Sequence, residues 1–187
     1  ERSTYLFASL LKRARRIGKE SLLFLLTQCN NDGFSPLHSV LESGNPENVR
    51  AYFDAIHGAR AAGWLSDDVY CDLLTQRNKA GFSPLHQVLK RGQTDNVSMY
   101  FAAIDQAREK GWLNNDAYCT LLTAKNNDGF SPLHDVLISG NPYNVSMYFA
   151  AIDHARNKNW LNNDAYCTLL TATNNEGFSP LHEVLIS

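Results

Sequence analysis

The chain has 187 residues, 44% of them hydrophobic and 19% charged, with a formal net charge of −2. This composition predicts an ordinary folded domain and excludes a disordered tail, while near-neutrality excludes recruitment of nucleic acid or an anionic membrane by a global field. No apolar run approaches the ~18 residues that a membrane span needs, so such partners require a local patch.

Residues 3–17 place Tyr5, Leu6, Phe7, Leu10, Leu11, Ala14 and Ile17 on a helical stripe, with Lys12, Arg13, Arg15 and Arg16 mostly off it. An amphipathic helix is predicted, capped by Gly18, its last basic residues complementing the helix dipole. Residues 21–27 form a second, short apolar helix. Next comes Gly33-Phe34-Ser35-Pro36-Leu37-His38, and the same six residues return at 81–86, 129–134 and 177–182, each time 48 residues on. A fixed period of this kind predicts stacked units that bury their apolar faces against one another. Residues 33–80, 81–128 and 129–176 are full units, 177–187 begin another, and 1–32 align with the last two helices of a unit as a divergent partial copy and N-terminal cap. Beginning at Glu1 and ending inside a unit at Ser187, the chain reads as a piece of something longer.

Punctuation divides each full unit into three helices. In the first unit Ser35 caps a short helix that opens on Pro36 and stops at Gly44. A second helix starts near Asn45-Pro46, carries Val49, Tyr52, Phe53, Ile56 and Ala59 at spacings of three and four, and stops at Gly63. Asn159 stands at the equivalent position of the third unit, the other residue that tolerates a left-handed cap. Trp64-Leu65 folds back, and Ser66 with Asp67 and Asp68 starts a third helix bearing Val69, Tyr70, Leu73 and Leu74. Polar turns follow at 77–80, 125–128 and 173–176, and no strand-like alternation persists, so the fold class is all-α.

The first half of the unit resembles the ankyrin repeat, whose turn ends in Gly before Thr-Pro-Leu-His opens a short helix. Gly33 to His38, then Val40, Leu41, Gly44, Val49, Tyr52 and Phe53, match that pattern with Ser for Thr, over about half the chain. The departure is length, 48 residues against about 33, because the second helix is prolonged and a third one added. The resemblance implies an ankyrin-like α-solenoid of three-helix units. It also implies a protein-binding scaffold with a concave surface. In style, extended and nearly identical units resemble host-directed effectors of intracellular bacteria, which implies a cytoplasmic site of action, in the host cytosol for an effector.

His38, His86, His134 and His182 invite a metal reading, but a regular ladder does not converge on an ion at about 2 Å. In ankyrin repeats the matching His bonds between neighbouring turns, and the resemblance implies that role here. His57 and His154, off the motif, are expected in solvent. Cys71, Cys119 and Cys167 are one repeat position seen three times, too far apart for disulfides, and are expected to be reduced apolar fillers; that fits a cytoplasmic protein. A Cys–His nucleophile pair copied in every unit is not expected, and no phosphate loop or nucleophile elbow is present, so no enzyme activity and no cofactor are expected. Trp64, Trp112 and Trp160 with Tyr70, Tyr118 and Tyr166 are either a base-stacking platform or corner packing; their Asn and Asp neighbours favour packing. Lys12, Arg13, Arg15, Arg16 and Lys19 form the one charge patch, either a solvated helix face or a contact for phosphates, acidic lipid or an import receptor.

The two central units differ at 11 of 48 positions. Differences cluster where the resemblance places the concave surface: Glu42 and Ser43, against Lys90 and Arg91, against Ile138 and Ser139. Gln93, Thr94 and Asp95 likewise become Asn141, Pro142 and Tyr143. Phe34, Phe82, Phe130 and Phe178 hold a turn position that often faces ligands in ankyrin proteins; the rings are either an exposed apolar stripe that marks a partner site or packing against the next unit, with packing the slightly favoured reading. These first-helix and phenylalanine positions are the candidate partner-binding residues, for a protein partner rather than nucleic acid or membrane. The alternative function is a recognition segment of a larger enzyme whose catalytic part lies elsewhere.

Overall fold

A computed structural model describes residues 2–91 and 93–186, with side chains from 7 to 185 apart from Gly92. Among them are twelve α-helices and no strand. Two helices, α1 (Arg2–Ile17) and α2 (Lys19–Thr27), precede three triplets: α3 (Pro36–Glu42), α4 (Pro46–Ala61) and α5 (Asp67–Thr75); α6 (Pro84–Arg91), α7 (Thr94–Glu109) and α8 (Asn115–Thr123); α9 (Pro132–Ile138), α10 (Pro142–Asn157) and α11 (Asn163–Thr171). The last helix is α12 (Pro180–Ile186). Equivalent helices pack as neighbours: α3, α6, α9 and α12 in one row, α1, α4, α7 and α10 in a second, α5, α8 and α11 in a third.

The boundaries follow from local chemistry. Ser35 holds an extended backbone and accepts from the His38 N–H, with Pro36 in the first turn. Asn45, Ser66, Asn114, Asn141 and Asn162 cap later helices in the same way. After α4, Gly63 takes φ +71°, and Asn159 takes φ +57° at the equivalent place, as the shared cap role predicts.

The core is one continuous seam. Leu37, Leu41, Val49, Tyr52, Ile56 and Leu74, with their equivalents Leu85, Leu89, Val97, Tyr100, Ile104 and Leu122, are at most 1% exposed. In α1 only part of the expected stripe is buried: Leu11 and Ala14 are covered, whereas Leu10 is 50% and Ile17 77% exposed. The side chains of Tyr5 and Leu6 lie outside the described residues.

Adjacent turns are joined backbone to backbone. The Lys79 N–H donates to the Asp32 carbonyl at 2.9 Å, Asn127 to Ala80 at 3.0 Å and Asn175 to Asp128 at 2.9 Å. The Asn127 and Asn175 side-chain amides reach the same preceding turn one residue earlier, donating to the carbonyls of Lys79 and Asn127. Within each turn an Asn closes the loop: Asn126 Oδ1 accepts from the N–H groups of Asp128 and Phe130, and its own N–H donates to the Phe130 carbonyl.

Candidate functional site

The motif histidines of the three full units are pins to the next unit. His38 Nε2 lies 2.9 Å from the Phe82 carbonyl, His86 Nε2 3.1 Å from that of Phe130 and His134 Nε2 3.2 Å from that of Phe178. A carbonyl only accepts, so Nε2 carries the proton and Nδ1 is left to accept from the serine three residues before, through its N–H and its hydroxyl. Both ring nitrogens are thereby used. Burial pushes the imidazole pKa down at His38 and His134, and down to about 4 at His86, holding the rings neutral. Among the described residues no three His, Cys, Asp or Glu side chains form a group able to hold a metal ion.

The aromatic ladder is interlocked with its neighbours. Trp112 packs edge-on to Tyr70 of the preceding unit at 5.9 Å, and Trp160 to Tyr118 at 5.6 Å. The Arg108 guanidinium of that preceding unit covers Trp160 at 4.4 Å, and Arg60 approaches Trp112 at 5.8 Å. His57 and His154, expected in solvent, are instead half-buried, their rings against Trp112 at 5.6 Å and Trp160 at 5.3 Å. The correction has a simple cause: the second helix packs against a Trp corner, and for His57 that corner belongs to the next unit, a contact that a pattern within one unit does not contain. Cys71 and Cys119 direct their thiols at the carbonyls of the same tryptophans, at 3.6 and 3.3 Å. Burial raises both thiol pKa values, the reverse of nucleophile activation. The four cysteines are free.

The candidate binding residues fall on the turns and first helices. A groove of about 610 Å³ opens between the turn and first-helix rows of the first two full units, within the size range of recognition pockets. Phe34, Glu42, Phe82, Lys90 and Arg91 line it together. Asp32, Asn78, Lys79, Ala80 and Gln87, which the sequence did not single out, complete the walls. Lys79 carried a usable signal, since the other turns hold Asn31, Asn127 and Asn175 at its position. The Lys90 ammonium sits 4.7 Å above the Phe82 ring, and Arg91 pairs with Glu42 across the seam. That ion pair is solvent-exposed and adds little to stability.

The phenylalanine rings are half-buried, each edge-on to its own histidine at 5.6, 5.9, 5.4 and 6.2 Å in chain order. Their carbonyls belong to the scaffold, and part of each residue stays open to solvent. Phe130, Ile138, Ser139 and Phe178 lie on the following turns and helices, outside this groove. Ile138 is 44% exposed, whereas the Ser43 and Ser139 hydroxyls are occupied at 2.7 Å by the carbonyls of Val40 and Val136 in their own helices. Asp135, one position after the motif histidine, is 5% exposed with no hydrogen-bond partner for Oδ2. Burial pushes its carboxyl pKa up to about 7, against the pull of Lys90.

The chain matches no protein-family model, and no curated protein matches it.

Proposed function

We propose that the chain is an ankyrin-like solenoid acting as a protein–protein interaction scaffold, holding a partner's extended segment along its turns and first helices. The observation that carries this reading is the groove between the first two full units. Five of the ten candidate binding residues line that one cavity. Invariant positions are spent on the stack, the histidines on neighbouring turns and the tryptophans on neighbouring helices. Lys90, Arg91 and Ile138 vary, and they face solvent. A rigid frame with variable exposed side chains suits recognition without catalysis.

A phage-displayed peptide library selected on the chain tests the reading. It should enrich a consensus whose affinity falls about tenfold when Lys90→Ala and Arg91→Ala are combined. Because both side chains are exposed, the double variant should melt as the parent does. Failure to enrich, or binding indifferent to both substitutions, overturns the assignment.

A further inference from the structure

The N-terminal pair α1 and α2 departs from every later unit in one chemical direction. Where the later units place Gly63-Trp64-Leu65-Ser66 and its equivalents, this one has Arg15-Arg16-Ile17-Gly18. The equivalents of Ile17 are Leu65, Leu113 and Leu161, at most 3% exposed, whereas Ile17 is 77% exposed. Lys19 stands where later units have Asp67, Asn115 and Asn163. Phe24, 62% exposed, replaces Asp72, Thr120 and Thr168, which face solvent in units covered on both sides or one. Its exposure therefore does not come from an uncovered end of the stack.

We infer that α1 and α2 form a docking surface for an anionic lipid bilayer, with Ile17 and Phe24 entering the interface and Arg13, Arg16 and Lys19 meeting the headgroups. Arg13 and Ile17 are spaced by four and share a face of α1. Arg13, Arg16 and Lys19 are exposed, and the ion pairs among the described residues, Arg60–Asp67 and Arg91–Glu42, involve none of them. Apolar side chains beside cations that outnumber the one carboxylate of α1 and α2, Glu20, are the combination an acidic membrane surface rewards. A second copy fits worse, because the same cations would face each other. A nucleic acid would use the cations but has no need of Phe24. On the other flank of α1, Lys12 and Arg15 share a groove with Glu47 and Asp54 and contribute less.

The test is flotation of the whole chain with phosphatidylcholine vesicles, with and without phosphatidylserine, at near-physiological salt. Binding should require phosphatidylserine. It should weaken about tenfold in Phe24→Thr, which restores the residue of the two later units and leaves folding intact. It should weaken by a similar factor, about tenfold, in Arg13→Ala combined with Arg16→Ala. Equal binding to both vesicles, indifference to Phe24→Thr, preferential capture of an oligonucleotide, or self-association abolished by Ile17→Asn each overturns the inference. None of these outcomes bears on the peptide groove, which lies on other residues.

Discussion

His86 shows how much one repeated side chain can carry. It is fully buried, its Nε2–H reaches the next unit at 3.1 Å, and Nδ1 accepts from the Ser83 N–H at 3.2 Å. His86→Ala leaves that buried N–H unpaired and opens a void, so urea unfolding should report a loss of about 3 kcal/mol. His182 occupies the same motif position but is exposed, and His182→Ala should change stability by no more than about 0.5 kcal/mol. Equal effects would show that the inter-unit bond is not what matters. The same neutral rings set the acid response. Folding lowers the pKa of His38, His86 and His134 below the ordinary 6.5, to about 4 at His86. The unfolded chain therefore binds more protons in that window, and stability is retained above pH 6.5 and lost toward pH 4. Asp135 works the other way, since its folded pKa of about 7 lies above the ordinary 3.8 and its ionised form costs stability as pH rises from the lower value to the higher. Asp135→Asn should raise the melting temperature at alkaline pH and steepen its fall in acid; an unchanged pH profile would contradict the buried carboxyl.

At the scale of elements, the turn and the helix end use glycine for different reasons. Gly81 has φ +83°, and a Cβ there would stand 2.6 Å from the Asn127 N of the next turn. Gly81→Ala should cost about 3 kcal/mol through a left-handed backbone and a steric clash together. Gly63 has φ +71° with nothing within 4 Å of where a Cβ would stand, so Gly63→Ala should cost about 1 kcal/mol and Gly63→Asn almost nothing. Thermal melts that failed to separate the two sites would refute the turn-to-turn contact as the cause. Helix caps are legible in the sequence, because Ser35, Asn45, Ser66, Gly44 and Gly63 act on their own backbone within a few residues. The exposure of Leu10 and Ile17 is not, since periodicity selects a face without saying how much of it a neighbour covers. Nor is the burial of Asp135, whose equivalents Ser39, Gln87 and Glu183 are all polar.

For the molecule as a whole, neighbours supply the stability, and the ends should be the weak places. Tyr52 in α4 donates to the Leu26 carbonyl of α2 at 3.2 Å, and α1 packs along α4. Deleting residues 3–27 uncovers that face, so the truncated chain should aggregate in size-exclusion chromatography. A monodisperse truncation with the parent's melting temperature would remove the capping role. The candidate groove is half legible in the sequence: variation at Lys90 and Arg91 points to it, and Lys79 escapes because its turn reads as punctuation. Sequence alone determined the helices, their ends, the 48-residue period and which positions vary, since these depend on local propensity and self-comparison. Only the tertiary structure decided that His57 and His154 pack against tryptophans, that Phe34 and Phe82 share one cavity, and that Phe24 faces solvent. Those outcomes depend on which surfaces meet when helices and units stack, and for His57 with Trp112 or Phe34 with Phe82 the partners stand some fifty positions apart, a relation that no single unit's pattern encodes.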